Sequence, residues 1–280
     1  MARIVRLAVA TVFGAVVGSV VPLSTLPENG HLRNAVVRGQ QAEPFQWRGR
    51  VATGHSVEIK GVNGSISAQP ASGDSVEVVA RKTGRKSNPG TVRIEVVEHA
   101  GGVTLCAVYP NGDGPPNECR PGKAGRMSTR DNDVKVDFEV RVPRGVAFVA
   151  RTVNGAVEAH GIDGPVSAHT VNGSVKLKAR GVVDAETVNG SIQADLGEAS
   201  WDGTLEFQTV NGSIEVGLPA DASTRVVAQT VNGDLQSDFP VTVQGRFGPK
   251  KFEGTIGAGG RDLKLETVNG RITLRRTTTG

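Results

Sequence analysis

The sequence contains few aromatic residues and only two cysteines. Aromatic residues make up 4% of the 280 residues, although the apolar fraction of 38% is adequate for a core. Aliphatic side chains must therefore fill most of that core. The spacing of the two cysteines matches no common zinc pattern, and no catalytic constellation recurs along the chain. We therefore expect neither a metal site nor a cofactor.

The chain also lacks a strong excess of charge of one sign. Its formal net charge is +4, and Lys and Arg are interleaved with Asp and Glu, so no basic stripe for nucleic acid is found. Proline accounts for only 14 residues, whereas glycine accounts for 37, nearly twice its usual share of about 7%. The glycines follow strand ends, which indicates turn-rich β structure.

A long apolar run is found only at the N-terminus. Residues 7–21 are apolar or small and follow Arg3 and Arg6, but the run is shorter than the ~20 residues of a membrane span. We expect a signal peptide or N-terminal anchor over residues 1–26 and a polar linker over residues 27–44. Membrane contact is then expected only through the N-terminal segment, if it is not cleaved.

The two cysteines flank a loop rich in glycine and proline. Cys106 and Cys119 form an even pair, which in an exported chain predicts a disulfide. Closing a loop of this size stabilises a protein by roughly 3 kcal/mol in the chain-entropy description. Two free thiols are the alternative.

The most informative feature present is a repeat. Val-Asn-Gly occurs seven times, six of them as Thr-Val-Asn-Gly, each between segments of alternating apolar residues. Alternation on both sides of a turn predicts two short strands, each with one buried face. The Asn-Gly pairs are Asn63 and Gly64, Asn154 and Gly155, Asn172 and Gly173, Asn189 and Gly190, Asn211 and Gly212, Asn232 and Gly233, and Asn269 and Gly270.

Two geometries fit this repeat. In a type I′ hairpin, Asn and Gly would supply the positive φ angles of the turn. In a parallel β-solenoid, the pair would form a corner, and the copies would stack at about 4.8 Å with their asparagine amides hydrogen-bonded along the column. Only stacking explains why Thr-Val recurs as well. We therefore predict an all-β, single-stranded parallel β-helix (β-solenoid) over residues 45–276, right-handed because parallel crossover connections almost always are.

The spacing of the copies is regular except in two places. After the first copy it stops for about 90 residues, which still alternate, so we predict a β-rich hairpin and loop insertion over residues 80–140 that contains the cysteine pair. The last interval, 37 residues, is about two periods long. We therefore expect a turn that has lost its signature within residues 238–260.

These motifs resemble a known bacterial family. The Thr-Val-Asn-Gly frames, the opening at residues 45–47, the first copy at 60–64 and the segment 130–143 are similar to the "putative adhesin" domain called Toastrack. The resemblance covers about residues 45–275. It implies a β-helical domain at the cell envelope, with members linked to adhesion or envelope stress, and it offers no catalytic residues to carry over.

Parallel β-helices also include polysaccharide lyases and hydrolases, which need carboxylates clustered on one face. Four carboxylates are candidates for such a cluster: Asp184, Glu186, Glu206 and Glu215. We interpret them as solvated charges on the outer face. His160 and His169 could approach each other across neighbouring coils, but a metal site usually needs a third ligand.

The sequence therefore predicts a non-enzymatic module exported to the periplasm, outer envelope or exterior of a bacterium. It would act in adhesin-like binding or assembly, with an envelope protein or glycan as partner and a possible link to envelope stress. The alternative is a carbohydrate-active β-helix enzyme. Because only a short polar tail follows Leu274, we predict self-association through the C-terminal edge of the solenoid.

Overall fold

The computed structural model of the chain describes residues 40–197, 201, 203–244 and 250–277, all within the unit Val37–Gly280. The predicted leader and most of the predicted linker lie outside the described residues. In the described part, 22 strands form two sheets of 11 strands each, and a single 3₁₀ turn spans Pro89–Thr91. No described segment forms a helix with the length and apolarity needed to cross a membrane.

The strands are, in chain order, β1 (Gln40–Gln41), β2 (Phe45–Gly49), β3 (Ser56–Lys60), β4 (Ile66–Pro70), β5 (Val76–Gly84), β6 (Arg93–His99), β7 (Gly102–Val108), β8 (Lys135–Val142), β9 (Ala147–Arg151), β10 (Val157–Ile162), β11 (Val166–His169), β12 (Val175–Ala179), β13 (Val183–Glu186), β14 (Ile192–Leu196), β15 (Thr204–Asn211), β16 (Ile214–Pro219), β17 (Thr224–Asn232), β18 (Leu235–Ser237), β19 (Thr242–Gln244), β20 (Lys250–Ile256), β21 (Arg261–Asn269) and β22 (Ile272–Thr277). Sheet A has the order β1-β5-β8-β4-β10-β12-β14-β16-β22-β18, with β2 also paired to β5. Sheet B has the order β19-β20-β17-β21-β15-β13-β11-β9-β3-β7-β6.

Each coil contributes one strand to each sheet. The chain runs through β11 in sheet B, turns at residues 171–173 and continues through β12 in sheet A. Strand β11 pairs in parallel with β9 and β13, and β12 pairs in parallel with β10 and β14. Equivalent residues of successive coils therefore lie side by side, which confirms the predicted parallel β-solenoid.

The core lies between the two sheets. In β12, Val175, Leu177 and Ala179 are buried, whereas Lys176 and Lys178 are exposed. This alternation places one apolar face of each strand inward, as strand geometry requires. Among the largest fully buried side chains are four phenylalanines: Phe138, Phe148, Phe207 and Phe252.

The coils near the C-terminus do not stack in chain order. The last repeat, β21 and β22, is inserted between β15–β16 and β17–β18. On the outer face of sheet B, Glu266 consequently lies between Gln208 and Gln229. Sequence order alone would have placed Gln229 beside Gln208.

A hairpin causes this exchange. Strands β19 and β20 run antiparallel to each other, and β20 pairs with one side of β17 before the chain passes to β21 on the other side. The expectation of a lost turn within residues 238–260 is therefore wrong. The predicted C-terminal edge is also wrong, because β22 lies between β16 and β18 and the strands that end the sheets here are β18 and β19.

The other end of the solenoid contains the segment between the first two copies. Strands β7 and β8 form a further coil beside β3 and β4, but its corner is the long segment 109–134, which we call the disulfide loop. Strands β6 and β5 pair antiparallel with β7 and β8, and β2 pairs with β5. Antiparallel strands thus cover this end in both sheets.

Candidate functional site

The Val-Asn-Gly turns form one straight column along a corner of the solenoid, which we call the turn column. Every asparagine except Asn63 donates from its Nδ2 to the Oδ1 of a neighbour at 2.8–2.9 Å, so that six hydrogen bonds join seven side chains. A continuous ladder of this kind requires in-register stacking. The order in space is Asn63, Asn154, Asn172, Asn189, Asn211, Asn269 and Asn232.

The other residues of the motif also contact the adjacent coil. The buried Thr187 donates from Oγ1 to the carbonyl oxygen of Gly173 at 2.9 Å, and each of the other five threonines makes the equivalent bond at 2.9–3.2 Å. A Cβ on Gly190 would lie 2.0 Å from the carbonyl oxygen of Gly173. Thr and Gly are thus required by the close contact between coils.

This contact corrects the expected reason for Asn-Gly. Among the seven motif glycines only Gly64 has a φ angle in the left-handed region, and Asp131 is the only described non-glycine residue with positive φ. Conformational freedom is therefore not the main requirement at the turns. The glycine leaves room for the next coil, and the asparagine supplies the ladder.

The disulfide loop lies against the outer face of sheet B. Cys106 and Cys119 are joined in the predicted disulfide, with their Cα atoms 5.7 Å apart. The ammonium group of Lys60 donates to the carbonyl oxygens of Arg120, Gly122 and Ala124 at 2.7–2.9 Å. Burial lowers the pKa of Lys60, although the adjacent carboxylate opposes this effect. The three carbonyls match the three donors of an ammonium group.

Glu58 completes this attachment. Its buried carboxylate accepts hydrogen bonds from Thr104 Oγ1 at 2.9 Å, Gly122 N at 2.8 Å and Arg151 Nε at 3.1 Å. One side chain therefore links two strands and the disulfide loop. Its charge is compensated in place by the guanidinium of Arg151.

Three of the four candidate carboxylates lie on one face of the solenoid, and the fourth lies on the other sheet. Asp184 and Glu186 lie on β13, with Glu206 beside Asp184 on β15, all on the outer face of sheet B. Glu215 lies on β16 in sheet A. The solenoid therefore separates Glu215 from the other three carboxylates considered for the enzyme alternative.

The two histidines considered as metal ligands are also separated, because His160 lies on β10 in sheet A and His169 on β11 in sheet B. Within the described part of the chain, no group of three or more His, Cys, Asp or Glu side chains could hold a metal ion.

One cluster on sheet B has the residue types of a hydrolase triad. The Oγ of Ser167 lies 2.7 Å from His169 Nε2, and His169 Nδ1 lies 3.3 Å from Glu186 Oε2. The same hydroxyl donates to Asp184 Oδ2 at 3.0 Å. Sequence reasoning missed Ser167, since its relation to the neighbouring coil is visible only once the register is known.

The acidity of Asp184 reflects these contacts. Burial is the largest single influence and raises its pKa, but hydrogen bonding and charge from His169, the hydroxyl of Ser167 and the charge of Arg151 together outweigh it, so the pKa is lowered. The carboxylate is thus stabilised in its ionised form and accepts the serine proton as a hydrogen bond.

The backbone around this cluster is fully used in sheet pairing. Strand β11 pairs along its whole length with β9 on one side and β13 on the other. A serine hydrolase needs free N–H donors directed at the oxyanion that forms during acyl transfer. The parallel ladder uses the backbone N–H donors of β11, so β11 offers none to an oxyanion. The side chains of Ser167, His169, Asp184 and Glu186 form a hydrogen-bonded cluster on the surface.

The outer face of sheet A carries a groove of 470 Å³. It is lined by Gly161, Lys178, Ala179, Arg180, Asp195, Leu196, Gly197, Pro219, Arg275, Arg276 and Thr277. Four of these residues are cationic and one is acidic, and we call this feature the cationic groove. It lies where β12, β14 and β22 end, far along the strands from the turn column.

The register of four strands forms the floor of the cationic groove. Lys178, Asp195, Gly217 and Arg275 lie side by side on β12, β14, β16 and β22. Arg275 donates from Nε to Glu215 Oε1 at 2.6 Å and also binds Asp195 across the glycine. The hydrogen bond to Glu215 is the main cause of the raised pKa of Arg275.

Comparison with known proteins gives one family and several distant structures. The model of the family described as Toastrack DUF4097 matches residues 51–275. No curated protein matches the chain. A solved "putative cell adhesion protein" from Clostridium sporogenes is 10% identical, with 84% of this chain and 100% of that chain covered and a TM-score of 0.45. A solved "putative adhesin" from Bacteroides fragilis is 12% identical, with 84% and 97% covered and a TM-score of 0.35.

Proposed function

Because the chain belongs to the Toastrack DUF4097 family, we propose that it is an exported, non-enzymatic binding module of the bacterial cell envelope. Export is supported by the apolar segment at residues 7–21, which follows two arginines. It is supported independently by the disulfide between Cys106 and Cys119, since such bonds persist in oxidising compartments.

The observation that carries the non-enzymatic part is the pairing of β11 on both sides. This pairing uses the backbone donors beside Ser167 and His169, where a hydroxyl, an imidazole and a carboxylate lie within reach of one another. The candidate carboxylates meanwhile lie on two different sheets, with Glu215 apart from Asp184 and Glu206. The first arrangement leaves no free β11 donor for the oxyanion of ester cleavage, and the second separates Glu215 from the other acids considered for glycoside cleavage.

Binding is supported by the character of the outer faces. Their charges are dispersed and many are paired between neighbouring strands. Arg225 binds Asp262 at 2.8 Å, and Arg81 binds Glu139 at 3.3 Å. Broad faces of this kind suit contact with an extended partner, such as an envelope protein or a glycan, and function must be argued from the face and not from the fold.

Two measurements test this proposal. The purified exported chain, incubated with envelope fractions and with a panel of polysaccharides, should retain a partner and release no product. Turnover that disappears in both Ser167→Ala and Glu186→Gln, but persists in Glu139→Gln on sheet A, would establish the carbohydrate-active enzyme in its place. Alkylation before and after reduction should label Cys106 and Cys119 only after reduction, and labelling without reductant would contradict export.

A further inference from the structure

We propose that the cationic groove on sheet A is a binding site for an acidic polysaccharide, a glycan chain that carries carboxylate groups. The inference rests on the proposed binding function and assigns it a place and a ligand class. Four cations line the groove, Lys178, Arg180, Arg275 and Arg276, against one carboxylate, Asp195.

The cations are not all neutralised within the protein. Asp195 is taken by Arg275, although Lys178 is its neighbour in the register. Lys178 therefore forms no ion pair with any described residue. The guanidinium of Arg276 lies 5.1 Å from the ring centre of Phe239 and has no carboxylate partner in the described part of the chain. Both side chains are exposed, so their charges are available to a ligand.

Arg180 adds a third charge that is weakly held. Its guanidinium lies 3.7 Å from a carboxylate oxygen of Asp163, and that carboxylate is shared with Arg144 at 3.0 Å. An exposed ion pair at this distance contributes little, about 0–1 kcal/mol. A ligand carboxylate could therefore replace Asp163 at small cost.

The shape of the groove depends on a glycine. A Cβ on Gly217 would lie 2.6 Å from Asp195 Oδ1 and 2.7 Å from Thr277 Cγ2. Because Gly217 has no side chain, the guanidinium of Arg275 can extend over β16 to Asp195. No side chain of β16 then fills the groove at this position between β12 and β22. Three strand spacings separate these two strands, or about 14 Å. The groove therefore spans more than one anionic group, which favours a polymer over a single ion.

The lining selects among polyanions. No aromatic residue is among the described residues that line the groove, so bases of a single-stranded nucleic acid would lack a stacking surface. Among the residues with a described side chain, the large hydrophobic ones that are exposed are Val171, Val210 and Val268, and they lie at the turn column. Acyl chains of a membrane would therefore find no apolar contact beside the cations. Arginine binds carboxylates through paired hydrogen bonds, which fits a uronic-acid type of glycan.

The test is a calorimetric titration of the purified full chain with polygalacturonate, with neutral dextran as the uncharged comparison. Lys178→Gln combined with Arg276→Gln removes the two unpaired charges. Lys264→Gln, at an exposed lysine on the outer face of sheet B, is the control for loss of a positive charge outside the groove. We expect the chain to bind polygalacturonate and not dextran, the double variant to bind it roughly tenfold or more weakly, and the control to stay within about twofold.

Each alternative result has a defined meaning. An equal Kd for the double variant and the wild type, or no binding of polygalacturonate, overturns the groove assignment and leaves the binding module to its own test. Tighter binding of poly-glutamate, or of vesicles rich in anionic lipid, overturns the ligand class. Cleavage of polygalacturonate overturns the non-enzymatic function but not the groove. If the double variant melts early, Lys178→Arg with Arg276→Lys keeps both charges and should restore binding.

Discussion

The turn column and the disulfide loop occupy the same position in the solenoid, the corner between sheet B and sheet A, but they are held in different ways. In the turn column the Asn, Thr and Gly of one coil repeat the same contacts with the adjacent coil. In the loop, the disulfide, the ammonium group of Lys60 and the hydroxyl of Tyr109 make contacts that differ in kind and do not recur. Burial raises the pKa of Tyr109 to about 12, and its hydroxyl donates to the Val134 carbonyl at 2.9 Å. Repetition stabilises one corner, whereas cross-links stabilise the other.

The largest expected effect comes from filling the space between two turns. Gly190→Ala should lower the free energy of unfolding by about 3 kcal/mol or more, because the new Cβ would lie 2.0 Å from a backbone oxygen that cannot move aside. Gly73→Ala is the matched control, since nothing lies within 4 Å of its Cβ position. Denaturant unfolding of both variants measures the difference. Equal stabilities would show that the coils do not pack as closely as described.

In the loop corner, the corresponding change is Lys60→Met. It removes three hydrogen bonds and leaves the carbonyls of Arg120, Gly122 and Ala124 without their donor, at an expected cost of about 2–3 kcal/mol. Lys264→Met, at an exposed site, should change the stability by less than about 0.5 kcal/mol. Thermal unfolding compares the two. A loss below that of the control would mean that the disulfide alone holds the loop.

Within the turn column, position along the ladder should matter. Asn189 makes two of the ladder hydrogen bonds, whereas Asn232, at the end, makes one. We expect Asn189→Ala to destabilise by about 1–2 kcal/mol and Asn232→Ala by about half of that. Asn189→Gly should cost nearly as much as Asn189→Ala, because neither carries an amide. Equal and negligible changes in stability for all three variants would show that the asparagine ladder does not stabilise the fold.

The smallest effect concerns pH. The folded pKa of Asp184 is lowered, so its contribution to stability is present above its ordinary pKa of about 4 and is lost as the pH falls through the lowered value. Its side chain is 45% exposed, so we expect less than about 1 kcal/mol. The wild type should have a higher melting temperature than Asp184→Asn at neutral pH, and this difference in melting temperature should disappear at acidic pH. A gap that is constant with pH would assign the effect to packing.

The comparison also shows which features a sequence can reveal. The strands and their parallel stacking were predictable because alternation and the repeated Thr-Val-Asn-Gly are local patterns, and the disulfide followed from an isolated pair of cysteines. The exchanged order of β17 and β21 was not predictable, because both strands carry the same frame and pairing of β17 with β20 decides which lies at the end.

The surface features depend on register in the same way. Ser167 and His169 meet Asp184 and Glu186 only because β11 stacks on β13. The cationic groove needs Arg275 to lie beside Gly217, a pairing that joins residues from coils which are not consecutive in the chain. Residue types alone therefore identified neither site.

The most direct test of the contrast between the two corners is amide hydrogen exchange of the folded chain with and without reductant. Reduction of the Cys106–Cys119 bond should increase exchange in the disulfide loop, residues 109–134, while the amides of Asn172, Asn189 and Asn211 stay as protected as before, since each donates to the preceding coil at 2.7–2.8 Å. Loss of protection in the turn column on reduction, or an unchanged loop, would contradict the account.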